Sequence, residues 1–195
     1  MIPLIGLTGG IGVGKSTALD ALERLGAAVL STDRVVHELY ESDEVRALVT
    51  GRFGQAVAPA GAVDRAALAE QAFARPEDRA WLEEILWPRV GARIAHWREE
   101  LERLSPPPRV AVVEVPLLFE SGMEPAFDAT IAIVADEQVR RERASVRDHR
   151  SLDERTARQL SQEEKAGRAT YVVANNATVE ELRRALSFVI ENLQQ

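Results

Sequence analysis

Gly9-Gly10-Ile11-Gly12-Val13-Gly14-Lys15-Ser16-Thr17 fits the spacing G-x-x-x-x-G-K-[ST], with Gly9, Gly14, Lys15 and Ser16 at the fixed positions. Residues of these types at this spacing make a phosphate cradle. The glycines let the backbone curl until successive N–H groups converge, and a helix that follows adds its positive N-terminal end. In such a loop Lys15 reaches the β- and γ-phosphates of a nucleoside triphosphate, Ser16 ligates Mg²⁺, and Gly10 to Val13 with Thr17 complete the nucleotide contact. The choice of lysine stands out in this composition. Lys15 and Lys165 are the only lysines, and 22 of the 24 Lys and Arg residues are arginine. A compact ammonium on a flexible stem suits phosphates better at this point than a planar fork.

The motif requires a strand before it and a helix after it. Leu4-Ile5-Gly6-Leu7 reads as a buried strand, and Ala18, Leu19, Leu22 and Leu25 recur at helical spacing. Three further apolar runs predict strands: Ala28 to Leu30, Val110 to Val115, and Ala129 to Ala135. Tyr171 to Asn175 is a fifth. Ligands of open parallel sheets sit at the carboxyl ends of strands. That singles out Asp33, Glu114 and Asn175, each at such an end. Asp33 is either a functional acid or the N-cap of a helix from Arg34 to Tyr40. Glu114 either holds Mg²⁺, as a Walker-B acid does, or accepts a hydrogen bond at a strand end. Asn175 either touches a nucleotide base or makes a turn.

Between the second and third strands the chain reads as helices. Ser42 starts one with Val45, Leu48 and Val49 facing inward, and Asp64 caps another carrying Leu68, Ala72 and Phe73. Pro76 opens a third, which Pro88 divides from a fourth carrying Val90, Ile94, Trp97 and Leu101. Such a length exceeds what a βαβ crossover needs, so it is either a lobe that closes over a substrate or a structural insertion. After the fourth strand, Arg140, Arg141, Arg143 and Arg147 crowd one helix. Arg143 and Arg147 share a face. They are either a lid that neutralises a transferring phosphoryl group or a solvated basic face. Ser151 and Glu154 make a capping box for a second lid helix running to about Arg168. Thr178 and Glu181 make another, ahead of a last helix with Val179, Leu182, Leu186, Val189 and Leu193 on one side.

Composition excludes several classes. There is no cysteine, so disulfides, thiolate zinc sites and cysteine nucleophiles are absent, and the three histidines are too scattered for a metal cluster. A net charge of -7 argues against a nucleic-acid partner. No apolar run is long enough to span a membrane, and the N-terminus is a strand rather than a signal segment, so a cytoplasmic protein with no membrane partner is expected.

These motifs together resemble the dephospho-CoA kinase family over nearly the whole chain. The resemblance rests on Leu7 to Gly12 through Thr17, on Asp33 followed by His37, and on Val115-Pro116-Leu117-Leu118-Phe119-Glu120. It rests also on Arg143, Arg147-Asp148, Gln159 through Gln162 to Lys165, and Tyr171 to Val173 before Asn175. It implies an α/β P-loop NTPase three-layer fold of nucleoside-monophosphate-kinase type, with a five-stranded parallel sheet, a helical substrate-side insertion and a short helical lid. The core would comprise residues 1–33, 105–135 and 169–195, the CoA-side domain 34–104, and the lid 136–168. The implied reaction is ATP-dependent, Mg²⁺-assisted phosphorylation of the ribose 3'-hydroxyl of dephospho-CoA by a monomer or weak homo-oligomer. Asp33 would then be the general base, and Arg143 and Arg147 the lid arginines that act beside Lys15. His37, Pro116, Leu117, Leu118 and Glu120 would lie on the substrate side with Asp33. The chain departs from the family pattern at Ser31-Thr32, at Trp87 and at Ala174. Two rival readings remain at this stage: a kinase for another nucleotide or small alcohol, and a nucleotide-switched binding protein. Against the second, neither an Asn-Lys-x-Asp nor an Asp-x-x-Gly motif is present.

Overall fold

The computed structural model describes residues 1–144 and 159–193. Its sheet consists of β1 (Leu4–Thr8), β2 (Ala28–Ser31), β3 (Ala111–Glu114), β4 (Ala129–Val134) and β5 (Tyr171–Ala174). All pairings are parallel, and the strand order is β2-β3-β1-β4-β5. The first connection therefore leads away from β1 to one side, and the later ones continue to β4 and β5 on the other. Loops that diverge in this way open a crevice at the carboxyl end of the central strand, where ligands of such sheets bind.

β1 has no exposed residue because both of its faces are covered. On one face Ile5, Leu7, Ile131 and Ile133 share a core with Ala18 and Leu22 of α1 (Lys15–Arg24). Leu182, Leu186 and Ile190 of the last helix, Val179–Asn192, complete it. On the other face a Cβ at Gly6 would stand 3.0 Å from Phe127 and 3.1 Å from Leu118. The segment after β3 thus presses directly on the central strand.

The chain divides into two compact units, Met1–Ser31 with Arg98–Gln195, and Thr32–Trp97. The second unit holds α2 (Thr32–Glu41), α3 (Asp43–Phe53), α4 (Arg65–Ala74) and most of α5 (Pro76–Glu102). Its core is Val45, Val49, Val57, Leu68 and Leu86, with Val36, Leu39 and Tyr40 packed against it. Ser42 accepts from the Val45 N–H, and Asp64 accepts from Ala66 and Ala67, caps of about 1 kcal/mol each. In the first unit, α6 (Glu137–Ala144) follows β4, α7 (Gln162–Arg168) precedes β5, and α8 (Val179–Asn192) closes the chain.

Several local expectations change. Pro88 does not divide two helices: α5 runs unbroken through it, and in the same turn the Arg89 guanidinium donates to the Ile85 carbonyl at 2.6 Å. Leu48, Phe73 and Val179 are exposed rather than inward, Val179 as the first residue of its helix. The helix expected to reach Arg168 from Ser151 starts, in its described part, only at Gln162, because Ser161 and Glu164 form a capping box there. Ser151, Glu154 and Arg147 lie outside the described residues.

Asp78 of α5 is fully buried and takes two hydrogen bonds from Arg52, of 2.9 and 2.7 Å, and an ion pair of 2.6 Å from Arg75. The Arg52 hydrogen bonds hold its carboxyl below the usual range against the opposing effect of burial, and Arg75 adds to them. A depressed folded value stabilises the fold above the unfolded pKa, about pH 4, and that stabilisation is lost as pH falls through the folded value. Asp78→Asn therefore lowers the urea midpoint at pH 7, and its difference from wild type shrinks toward pH 3. Tryptophan fluorescence follows this directly, since Arg52 lies over the Trp81 ring.

Candidate active site

The loop between Thr8 and Lys15 is built by close approach. A Cβ at Gly9 would stand 2.6 Å from the Ile133 carbonyl oxygen, so only glycine lets the backbone pass β4 at this point. Gly14 has φ 87° and serves as the N-cap of α1. A Cβ there would also lie 2.3 Å from Asn175 Nδ2, so both conformation and space demand glycine.

The helix that follows leaves its first N–H groups without a side-chain cap. Ser42, Asp64, Ser161 and Thr178 cap their helices with side-chain oxygens, whereas Gly14 offers none and the first turn of α1 carries no acid. Unclosed N–H groups with the positive end of the helix dipole suit an oxyanion. Lys15 Nζ donates to the carbonyls of Gly9 at 3.0 Å and Gly10 at 3.1 Å, which holds its ammonium back over the loop. Ser16 is exposed in the first helical turn, and Thr17 is half-buried beside it.

Two side chains from the far side of the sheet tie this loop down. Asn175, buried just past β5, donates from Nδ2 to the Val13 carbonyl at 2.8 Å. Arg140 donates from Nε to the Ile11 carbonyl at 3.2 Å. Arg143, on the same face of α6, donates from Nη1 to the Asn175 carbonyl at 3.0 Å and lies 3.5 Å from where a Gly14 Cβ would be. The structure thus brings Lys15, Arg143 and Asn175 to one loop. Arg140 belongs with them although the motif reading did not single it out; its spacing of three from Arg143 on one helix was the available signal. The ends of β4 and β5 are stitched by the reciprocal pair Asp136 and Asn176, at 2.7 and 2.9 Å.

On the other side of β1, Glu114 is half-buried at the last position of β3, in register with Leu7 and Ser31. Oxygen donors on Ser16 and Glu114 are the hard type that Mg²⁺ takes. Among the described residues no cluster of three or more His or acidic side chains could hold a metal by itself, so a metal here would need ligands from the nucleotide. Pro116 and Leu117 are half-buried, while Leu118 is fully buried against Gly6. Glu120 Oε1 accepts from Lys165 Nζ and from the Leu160 N–H, each at 2.8 Å. Asp33 and His37 belong to the second unit. Asp33 is exposed in the first turn of α2, and His37 pairs with Glu41 at 3.7 Å.

A parallel sheet with this strand order, carrying a phosphate loop at the carboxyl end of its central strand and an arginine-bearing helix beside it, defines a protein of the P-loop NTPase class. The family model described as Dephospho-CoA kinase matches residues 3–181. The chain belongs to that family. It is 36% identical over 194 residues to the dephospho-CoA kinase of Protochlamydia amoebophila, covering 97% of this chain and 96% of that one. A crystal structure from Thermus thermophilus matches with TM-score 0.81 and 37% identity over 98% of each chain. Dephospho-CoA kinase from Campylobacter jejuni matches with TM-score 0.70 and 26% identity, over 99% of this chain and 98% of that one. Among the described residues no helix is long and apolar enough to cross a membrane.

Gly14→Ala tests the loop. The added methyl meets the Asn175 amide and the left-handed backbone at once, so affinity for a non-hydrolysable ATP analogue falls at least tenfold in calorimetry while far-UV circular dichroism is retained.

Proposed function

We propose that this kinase transfers the γ-phosphoryl group of ATP to the ribose 3'-hydroxyl of dephospho-CoA, giving coenzyme A and ADP. The observation that carries the reading is the uncapped start of α1, with Lys15 and Arg143 beside it, in a chain of this family. Phosphoryl transfer needs little covalent chemistry from a protein, so the rate comes from positioning and from cations set over developing charge.

In this reading the loop N–H groups from Gly9 to Thr17 hold the triphosphate, and Lys15 exchanges its two carbonyl partners for phosphate oxygens. Ser16 and Glu114 would hold Mg²⁺, which would supply charge neutralisation for the triphosphate. Arg143, with Arg147, neutralises the transferring group. Asp33 orients the acceptor hydroxyl and takes its proton, a step that contributes typically 10²- to 10⁴-fold. Asn175 keeps the loop in shape beneath the nucleotide. Residues 34–104 form the acceptor-side domain and 136–168 the lid, with His37 and the turn from Pro116 to Glu120 on the acceptor side. The enzyme works in the cytoplasm as a monomer or weak homo-oligomer.

A coupled ADP-release assay with and without dephospho-CoA, alongside other nucleosides and small alcohols, decides the activity. Turnover confined to dephospho-CoA is expected; equal rates on the other acceptors exclude it. Lys15→Ala abolishes turnover. Asp33→Asn lowers kcat at least about a hundredfold with ATP-analogue affinity within twofold of wild type. An unchanged kcat removes Asp33 from the mechanism. Arg143→Ala depresses kcat more than ATP affinity, and a pure affinity loss makes it a docking group instead.

A further inference from the structure

Lys165 is the second of the two lysines, and the reaction described above leaves it without a task. It is among the most deeply buried large side chains, with 1% exposure. Its ammonium has three partners: Glu120 Oε1 at 2.8 Å, the Pro116 carbonyl at 2.8 Å and Thr8 Oγ1 at 3.4 Å. Thr8 is itself fully buried, and its hydroxyl donates to the same Pro116 carbonyl at 3.3 Å. One cation from α7 therefore joins the last residue of β1 to both ends of the turn that follows β3.

The cluster is poorly designed for stability alone. Burying an ion pair costs desolvation that its attraction barely repays, and Glu120 Oε2 is buried with no hydrogen-bond partner among the described residues. What the cluster supplies is geometry. The phosphate loop has its own ties, from Asn175 to Val13 and from Arg140 to Ile11, and Thr8 pairs with Ala132 in the sheet. The turn from Pro116 to Glu120 is closed on itself by Ser121, whose N–H and hydroxyl donate to the Leu117 carbonyl at 3.0 and 2.7 Å, and it meets the sheet through the Val115 N–H on the Leu7 carbonyl and Leu118 packed on Gly6. Lys165 bridges the two ends of the turn: the Pro116 carbonyl, which it shares with Thr8 Oγ1, and the Glu120 carboxylate, which it shares with the Leu160 N–H. Loss of that ammonium consequently falls on the turn and spares the loop.

We propose that Lys165 is a positioning residue for the acceptor: it fixes the Pro116–Glu120 turn against the end of β1, so that acceptor recognition depends on it while nucleotide binding does not. The inference rests on the dephospho-CoA reading both for the identity of the acceptor and for the place of the Pro116–Glu120 turn beside it. The test compares Lys165→Met with wild type in three measurements: acceptor KM, kcat, and the dissociation constant of a non-hydrolysable ATP analogue. The expected result is an acceptor KM raised about tenfold or more, since misplacing a binding group by an ångström has effects of this size, with analogue affinity within twofold. A merely structural role would weaken both ligands together or neither, and either outcome overturns the proposal. Removing one partner of a buried pair can prevent folding. In that event Thr8→Val, which deletes only the hydroxyl on the shared carbonyl and keeps the ion pair, carries the test. It raises acceptor KM at least threefold with analogue affinity unchanged, and an unaltered acceptor KM overturns the proposal. If wild type turns over no dephospho-CoA, the activity reading fails and this inference with it. Wild-type turnover with an unmoved KM in the variant rejects this inference alone.

Discussion

The structure depends on a backbone that must turn its N–H groups toward one point at the end of β1. Peptide N–H groups cannot converge unless the chain bends tightly, and a tight bend beside a packed sheet leaves no room for side chains. Gly9 passes the Ile133 carbonyl and Gly14 passes the Asn175 amide at distances that a Cβ could not occupy. The loop is consequently shaped from outside as much as from within. β4 supplies one wall, the residue after β5 supplies a hydrogen bond, and α6 lays a guanidinium on the Ile11 carbonyl.

The basic groups at this end of the sheet are held in two different ways. Arg140 and Arg143 rest on neutral backbone carbonyls, and Lys15 has two such partners, whereas Arg34, Arg46 and Arg141 on the surface pair with carboxylates. A hydrogen bond from a cation to a neutral oxygen is weaker than one to a carboxylate. Groups held in that way can be redirected to phosphate at small cost. Lys165 is the opposite case. Its charge is paired with Glu120 and sealed from water, which suits a fixed support and not a moving contact.

The helical unit obeys simpler rules. Its core is aliphatic, α3 and α4 are capped by side chains, and its one deeply buried acid is held by two arginines. α5 shows how a local rule yields to its neighbours. Proline ends an isolated helix because it removes a donor and crowds the preceding turn. Here apolar residues on both sides of Pro88, Leu86 and Val90, are buried, and in the same turn the Arg89 guanidinium donates to the Ile85 carbonyl. The helix therefore continues through it.

Much of this molecule can be read from residue order alone. The phosphate loop, the strand before it, the helix after it and the caps at Ser42, Asp64 and Thr178 follow from short-range chemistry, in which each residue's neighbours along the chain decide its conformation. So does the parallel character of the sheet, since near-continuous apolar runs with few polar alternations mark strands covered on both faces, as parallel sheets are. The order of the strands, the packing of Leu118 on Gly6, the seat of Asn175 on Val13 and the burial of Lys165 do not follow from it. Each joins residues far apart in the chain, and such contacts exist only once the sheet has assembled and brought the carboxyl ends of its strands together. Residue order determined which groups could bind phosphate. Tertiary structure decided which arginines and which amide reach that loop, and which lysine supports the turn beside it, because a side chain's partner is set by distance in space and not by spacing in sequence.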